Sequence, residues 1–125
     1  MKVIDSSGWI EFVTDGPSAA LFEKHMEKLQ DVLTPSIVLY EVYKRLKRDS
    51  SEDAADKVAA MITKTRIIPL DESLALFAAD VSLQHDLAMA DAVVYATALL
   101  HKATLVTGDA DFKGLPQVTY YAKKP

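Results

Sequence analysis

Short apolar runs alternate with segments of helical periodicity along this whole sequence, and the alternation restricts the fold more than any other feature. Buried strands separated by helices are typical of a parallel sheet that helices cover on both faces. We therefore predict a three-layer α/β/α sandwich with a short, mostly parallel central sheet. The predicted strands comprise residues 3–4, 32–33, 66–70, 105–107 and 118–120, and the predicted helices residues 17–29, 35–48, 72–85 and 90–100, with a further helix opening at Glu52.

Local signals mark where several of these elements begin or end. Two serines and a glycine at residues 6–8 predict a turn after the first strand. Thr34 is predicted to cap a helix whose first residue is Pro35, because proline lacks an amide hydrogen that this position would leave unpaired. The segment 90–100 is apolar nearly all round, which predicts a buried helix.

The composition is that of an ordinary globular chain, and its 125 residues suit one domain spanning 1–125. It contains no cysteine, which excludes disulfides and sulfur-bound zinc. No apolar run approaches the roughly 20 residues of a membrane span, and too few residues precede Asp5 for a signal peptide. We therefore expect a cytoplasmic protein with no membrane partner. The net charge of −4 argues, at first, against a nucleic-acid partner.

Carboxylates follow two predicted strands at the edge where such sheets bind ligands. Asp5 ends the first strand, and Asp109 and Asp111 follow the strand at 105–107. In doubly wound sheets, ligands bind outside the carboxyl ends of the strands, where the strand order reverses. These acids are therefore candidates for one shared site. Taken singly, Asp5 can simply end a strand, and Asp109 and Asp111 can be ordinary turn residues.

Two further acids lie on predicted helices beside apolar residues. Glu41 lies against the apolar flank of its helix, and Asp91 is the only charged residue between Asp86 and His101. A buried charge costs free energy unless it is paired or bound to a metal. Simpler explanations remain open, since Glu41 can pair with Arg45 one turn later and Asp91 can complement the helix dipole.

Convergence of these carboxylates at one edge would require a cation between them, because like charges repel at close range. Oxygen ligands without histidine or cysteine suit hard ions such as Mg²⁺ or Mn²⁺. Carboxylate-bound Mg²⁺ can generate a nucleophilic water and stabilise the leaving oxygen of a phosphodiester. The acidic set therefore indicates metal-dependent phosphodiester hydrolysis.

Four segments together resemble the PIN-domain ribonucleases, and within them the VapC-type toxins of toxin–antitoxin pairs. The resemblance covers essentially the whole chain, and its third segment is the most specific. Gly8 departs from the larger residue often found there, which affects packing more than chemistry. The segments are VIDSSGWI at 3–10, PSIVLYEV at 35–42, ADAVVYATA at 90–98 and LVTGDADF at 105–112.

The resemblance implies a PIN-like fold and a Mg²⁺-dependent endoribonuclease, with Mn²⁺ as an alternative ion. Asp5, Glu41 and Asp91 would hold the metal, and Asp109 would complete a catalytic acidic quartet. The implied partners are an RNA substrate, a cognate antitoxin that inhibits the enzyme, and a second copy of the chain in a homodimer.

Other residues would assist the quartet. By the resemblance, Thr107 would support the site through its hydroxyl. Ser7 would do the same or simply form a turn, and Asp111 would lie beside the site or begin the next helix.

A basic helical face would lead away from the site. Lys44, Arg45 and Arg48 follow Glu41 by three, four and seven positions, so one helix face would present the acid and then these cations to RNA. An ordinary solvated face would have the same spacing. The placement of charge is therefore more informative than its total of −4.

Other functions remain as alternatives. One is a catalytically inactive PIN-fold module that binds RNA or protein, and another is a PIN nuclease without an antitoxin. A haloacid-dehalogenase-type phosphatase would need a second aspartate two residues after Asp5, where this chain has Ser7. A response-regulator receiver would need an acidic pair at the first strand, and that pattern is also absent.

Overall fold

A computed structural model describes residues 1–123 as a parallel β-sheet with helices packed on it. The strands are β1 (Lys2–Ile4), β2 (Val32–Pro35), β3 (Arg66–Ile68), β4 (Thr104–Thr107) and β5 (Val118–Tyr120). The α-helices are α1 (Ser6–Val13), α2 (Ala19–Glu23), α3 (Ser36–Asp49), α4 (Glu52–Ile62), α5 (Glu72–His85) and α6 (Met89–Leu100). The predicted α/β sandwich is confirmed.

The strand order is β3-β2-β1-β4-β5, and each neighbouring pair is parallel. From β1 the chain builds outward through β2 and β3, then crosses back to place β4 on the other side of β1. The strand order therefore reverses between β1 and β4, whose ends are joined by a bond from the Asp5 amide to the Val106 carbonyl (3.3 Å). This reversal is where sheets of this type bind ligands.

The apolar helix near the end of the chain is buried, as its composition predicts. Every residue from Ala92 to Ala98 in α6 is buried, and the helix packs on α5 and against β1, β2 and β4. The buried core extends to Trp9 on α1 and Phe112 after β4, both fully covered. Asp91 is held at the start of the best-buried helix, so its position relative to the sheet is firmly set.

The predicted turn at residues 6–8 is wrong, because α1 begins there. The Asp5 carboxylate caps the helix by accepting a hydrogen bond from the Gly8 amide (3.2 Å). An aspartate at this position satisfies an amide that the first helical turn leaves unpaired. The apolar residues Trp9, Ile10 and Val13, at helical spacing, were a signal for this helix.

The predicted cap at Thr34 is also wrong, because β2 continues through Pro35 and α3 begins at Ser36. Thr34 is fully buried, and its hydroxyl bonds to the Thr65 hydroxyl (2.7 Å) beside the neighbouring strand. Pairing between β2 and β3 includes Thr34 and Pro35, so strand formation outweighs the local helix-start signal.

The predicted helix at 17–29 is broken into shorter pieces. After α2 the chain tightens into a 3-10 turn at Lys24–Met26, and a second one follows at Leu29–Asp31. Lys28 adopts an extended backbone (φ −120°, ψ 89°), which interrupts the helix even though Phe22 and Met26 are buried at helical spacing.

Within residues 1–123, none of the helices has both the length and the apolar character required to cross a bilayer.

Candidate active site

Asp5 is buried at the end of β1, with only 5% of its surface exposed. One carboxylate oxygen, Oδ1, accepts hydrogen bonds from the Ser7 hydroxyl (2.6 Å) and the Gly8 amide (3.2 Å). The other, Oδ2, accepts a hydrogen bond from the Thr107 hydroxyl (2.6 Å). Three donors from two different segments therefore hold this side chain in one orientation.

Burial dominates the electrostatics of Asp5. Loss of solvation raises its pKa from 3.8 to about 6, although the hydrogen bonds from Ser7, Thr107 and Gly8 favour the charged form and limit the rise. The nearby Asp109 carboxylate raises the pKa further. A cation in the adjacent cavity would favour the ionised form.

Thr107 and Ser7 connect β1 to the loop after β4. The Thr107 hydroxyl donates to Asp5 and accepts a hydrogen bond from the Asp109 amide (2.9 Å). The Ser7 hydroxyl donates to Asp5 and accepts from the Gly108 amide (3.0 Å). Each hydroxyl therefore fixes the Asp5 carboxylate and the loop that carries Asp109 at the same time.

Three carboxylates lie close together beside this network. Oxygen atoms of Asp91, Asp109 and Asp111 all lie within 4.8 Å of one another. Asp91 comes from the first turn of α6, whereas Asp109 caps a 3-10 turn by accepting a hydrogen bond from the Asp111 amide (2.9 Å). The fold thus brings a helix start and the end of β4 to one point.

Asp91 has a pKa of about 6, raised from 3.8. Partial burial is the largest cause, and repulsion from the carboxylates of Asp109, Asp111, Asp5 and Glu41 follows in that order. Four other acids act on the Asp91 carboxylate, so the five together form a concentrated negative field.

Glu41 reaches the same cavity from α3. Partial burial raises its pKa, while the Arg45 guanidinium one helical turn later opposes the rise. Arg45 is exposed and shares the cavity wall with Glu41. Arg45 thus acts on Glu41 electrostatically without forming a salt bridge to it, and Glu41 lies beside the other acids.

The acids surround a cavity of about 590 Å³ at the carboxyl edge of the sheet. Four of its lining residues are the quartet predicted from the sequence, so the fold brings these distant positions together. The cavity is lined by Asp5, Ser6, Ser7, Glu41, Arg45, Asp91, Val94, Gly108, Asp109, Ala110, Tyr120, Ala122 and Lys123.

The donor set fits a hard divalent cation. Carboxylate oxygens without histidine or cysteine suit Mg²⁺ or Mn²⁺. The pKa of Asp91 is raised first by burial and then by repulsion from the neighbouring carboxylates, and a cation would relieve that repulsion. The Asp91, Asp109 and Asp111 carboxylates are spaced so that one ion can contact all three. Asp5 and Glu41 approach the same cavity from its other sides.

Sequence reasoning left the role of Asp111 open and missed two residues that line the site. Asp111 belongs to the close carboxylate triplet, and the pattern GDAD at 108–111 gave no basis for separating it from Asp109. Tyr120 and Lys123 line the cavity from the end of the chain. Lys123 lies beyond the last strand, and only the parallel addition of β5 beside β4 brings this segment to the site.

The predicted basic face is divided by the structure. Arg45 lines the cavity, whereas Lys44 and Arg48 line a separate hollow farther along α3. The Arg48 guanidinium donates two hydrogen bonds to the Asp49 carboxylate (2.7 and 2.9 Å), so part of its charge is neutralised.

A comparison with protein-family models matches residues 2–117 to the PIN domain. This chain belongs to the PIN domain family. The match spans every segment that contributes to the acidic site up to Asp111, whereas Tyr120 and Lys123 lie after it. No curated protein sequence matches the chain.

Solved structures share the fold along nearly the entire chain. A chain of a toxin–antitoxin complex from Klebsiella pneumoniae has a TM-score of 0.81 at 23% identity, over 98% of this chain and 99% of its own. VapC20 of Mycobacterium tuberculosis, a toxin that cleaves the sarcin–ricin loop, has a TM-score of 0.78 at 21% identity, over 93% and 95%. VapBC2 of Rickettsia felis, bound to promoter DNA, has a TM-score of 0.74 at 15% identity, over 97% of each chain.

Proposed function

We propose that this protein is a divalent-metal-dependent endoribonuclease that hydrolyses RNA phosphodiester bonds in the cytoplasm. The observation that carries the proposal is the convergence of carboxylates at the strand-order reversal of a PIN domain, where Asp91, Asp109 and Asp111 oxygens lie within 4.8 Å of one another. Mg²⁺ is the proposed ion and Mn²⁺ an alternative. Such an ion would supply an activated water and stabilise the charge that develops on the leaving oxygen.

The residues of this chain would act around that ion in different ways. Asp5, Glu41, Asp91 and Asp109 are the proposed metal-holding and catalytic residues, and Asp111 joins them because of its place in the triplet. Thr107 and Ser7 would orient Asp5, since their hydroxyls already bond to its two oxygens. None of these steps requires a covalent bond between the protein and RNA.

Two cations can receive the phosphates of the substrate at the cavity wall. Arg45 enters from α3 and Lys123 from the segment after β5, and both line the acidic cavity. Cations flanking an acidic centre hold the polyanion in place while the acids themselves engage the metal. This arrangement supports a nucleic-acid substrate even though the net charge is −4.

We further propose that the enzyme is the toxin of a toxin–antitoxin pair and that a cognate antitoxin inhibits it. The fold shared with a Klebsiella pneumoniae toxin–antitoxin chain and with an RNA-loop-cleaving toxin supports this role. A homodimer is part of the same proposal. Exposed apolar side chains on α5 and α6, including Leu83 (85% exposed) and Met89 (72%), support contact with a further chain.

The nuclease proposal is tested by Asp91→Asn, with Asp80→Asn as the matched control. Asp80 is an exposed aspartate on α5 and does not line the acidic cavity. In Mg²⁺, Asp91→Asn should lose RNA cleavage while keeping a native circular dichroism spectrum, and Asp80→Asn should cleave like the parent. Cleavage by Asp91→Asn at the parent rate would refute the assignment, and an inactive parent would favour the binding-module alternative.

The toxin role needs a separate test. The proposal predicts a small antitoxin-encoding reading frame beside the gene, and co-expression with it should relieve growth arrest and yield a stable complex. Growth arrest in its absence is expected to disappear in the Asp91→Asn variant. Sedimentation equilibrium of the parent and of Met89→Glu would test the homodimer, which predicts a lower average mass for the variant.

A further inference from the structure

Two tyrosines and two lysines lie along one side of α3, next to the acidic cavity, and all of them except the half-buried Tyr43 are exposed. Tyr40, Tyr43, Lys44 and Lys47, here called the α3 stripe, follow the i, i+3, i+4, i+7 spacing of a single helix face. Together with Arg48 they line a shallow, open hollow of about 400 Å³. Tyr40 is 59% exposed. This is unusual, because aromatic side chains usually bury much of their ring against the core.

Each lysine of the stripe is held at the hydroxyl end of a tyrosine. The Lys44 ammonium donates to the Tyr40 hydroxyl (3.3 Å) and lies 5.4 Å from the ring centroid. The Lys47 ammonium donates to the Tyr43 hydroxyl (3.2 Å) and lies 5.1 Å from that centroid. These distances place each ammonium beside the ring edge rather than above its centre. The stripe therefore offers a cation and an aromatic surface side by side, twice in succession.

This combination matches the chemistry of unpaired nucleotides. A phosphate requires a cation, and an unstacked base gains free energy by stacking on an aromatic ring whatever its identity. The stripe spans about 10 Å along the helix axis, which is enough for two bases on successive rings. A duplex would present no free base faces to these rings, because its bases already stack on one another.

The stripe and the proposed catalytic cavity lie side by side on α3, although they share no lining residue within residues 1–123. Tyr40 and Lys44 are the immediate neighbours of Glu41 and Arg45, which line that cavity. An RNA strand whose phosphate lies at Arg45 can therefore continue onto the stripe without leaving α3. Two of the acidic groups near the stripe are balanced by cations, since Asp49 is bonded to Arg48 and Glu52 lies 3.6 Å from Lys47, so Lys44 is the lysine of the stripe with the less compensated charge.

Resting on the proposed nuclease function, we infer that the α3 stripe binds single-stranded RNA beside the scissile phosphate, with bases stacked on Tyr40 and Tyr43 and phosphates on Lys44 and Lys47. Tyr40 is the better probe of the two rings, because Tyr43 also contacts the Asp56 carboxylate (3.5 Å) and contributes to the packing of α3 on α4.

The test measures binding of the full chain in Mg²⁺-free buffer to three labelled probes: single-stranded RNA, an abasic strand of equal length, and an RNA duplex. Tyr40→Leu should weaken binding of single-stranded RNA roughly tenfold and leave the abasic strand and the duplex unchanged. Tyr40→Phe keeps the ring and should bind like the parent. If Tyr40→Leu weakened binding of the abasic strand as much as binding of single-stranded RNA, or did not weaken binding of single-stranded RNA, base stacking on Tyr40 would be refuted.

The contribution of the lysine charge to RNA binding is tested by Lys44→Gln, with Lys64→Gln as the matched control. Lys64 is exposed just before β3, at the opposite edge of the sheet from the cavity. Lys44→Gln should weaken all strands and reduce the slope of log affinity against log salt by about 1, whereas Lys64→Gln should change neither. If log affinity fell with log salt equally steeply in the two variants, Lys44 would not contact an RNA phosphate.

Cleavage in Mg²⁺ separates this inference from the function on which it rests. A parent that cleaves RNA, with a Tyr40→Leu variant that binds and cleaves equally well, would overturn the stripe alone. A parent that binds RNA through the stripe without cleaving it would support the RNA-binding role of the stripe and refute the proposed nuclease activity. A parent that neither binds nor cleaves RNA refutes both, and an acidic peptide bound through Tyr40 would identify a protein partner instead.

Discussion

The Thr107 hydroxyl joins the ends of the two central strands by donating a 2.6 Å hydrogen bond to Oδ2 of Asp5. The Thr107 hydroxyl also accepts a hydrogen bond from the Asp109 amide (2.9 Å), so it connects the most buried acid of the site to the loop that carries another. Both residues lie at the point where the strand order reverses. One hydroxyl therefore sets the relative position of two carboxylates that are far apart in sequence.

Removing that hydroxyl should cost stability and alter the titration of Asp5. Thr107→Val keeps the side-chain shape but leaves Oδ2 of Asp5 and the Asp109 amide without this partner, so we expect a loss of about 1–3 kcal/mol in the free energy of unfolding. The pKa of Asp5 should rise, because a bond that favours its charged form is lost. Urea unfolding and the acid limb of the cleavage rate measure the two effects. Thr107→Ser retains the hydroxyl, and a similar loss there would contradict the explanation.

The metal-free protein should lose stability as the pH rises from about 4 to about 6. Asp5 has a pKa of about 6 in the folded state against 3.8 for an ordinary aspartate, so the folded state binds more protons in this interval and unfolding becomes easier as they leave. For the buried Asp5 the full effect is about 3 kcal/mol, and the more exposed Asp91 adds to it in the same direction. Urea unfolding between pH 4 and 8 in a chelator measures it. Asp91→Asn should flatten the dependence, and a parent whose stability rises through this interval would contradict the prediction.

Divalent metal should stabilise the protein, and most strongly above pH 6. A cation among Asp91, Asp109 and Asp111 offsets their repulsion only when they are ionised, and any ligand that binds the folded state alone raises the melting temperature. Thermal unfolding with increasing Mg²⁺ or Mn²⁺ measures the shift at pH 5 and pH 8. The shift should persist in Asp80→Asn and disappear in Asp91→Asn. Equal shifts in both variants would place the ion elsewhere.

Gly8→Ala should destabilise the protein although alanine favours helices. A Cβ at Gly8 would lie 2.8 Å from both Ile4 Cγ2 and Phe22 Cδ1, and these two side chains are buried. Helix propensity would gain about 1 kcal/mol, but moving a packed core typically costs about 1–3 kcal/mol. We expect a net loss in urea unfolding.

A second variant identifies the cause of that loss. Combining Gly8→Ala with Phe22→Leu removes the colliding ring, so the cost of the alanine should be smaller in the Phe22→Leu background than in the parent background. Additive losses would indicate that the contact with Ile4, rather than the contact with Phe22, limits this position.

Elements with strong periodicity or clear end signals could be predicted from the sequence. Ser51 caps α4 through the Ala54 amide (3.0 Å), and α6 is as buried as its composition indicates. The errors came where tertiary contacts outweigh local signals. Thr34 and Pro35 resemble a helix start but pair in a strand, and the small polar residues after Asp5 resemble a turn but begin a helix that Asp5 itself caps.

The location of the acidic site was predictable to a similar degree. Strand ends in an alternating pattern indicate a common edge, so the meeting of Asp5, Glu41, Asp91 and Asp109 at one cavity followed from topology and motif spacing. The membership of Asp111 in the triplet depends on the conformation of a single 3-10 turn. The approach of Lys123 depends on where the chain goes after β5, and no residue pattern encodes that direction.

The order of strands also has a consequence for synthesis. β1 is made first, but its neighbour β4 is among the last strands to be made, and the carboxylates that meet at their ends are separated by about a hundred residues of chain. Chains emerge from the ribosome amino end first, so a nascent chain carries Asp5 and Glu41 long before Asp109 and Asp111 can join them. The acidic centre is therefore assembled only after β4 and the turn that follows it have been made, and a chain that ends before β4 lacks it.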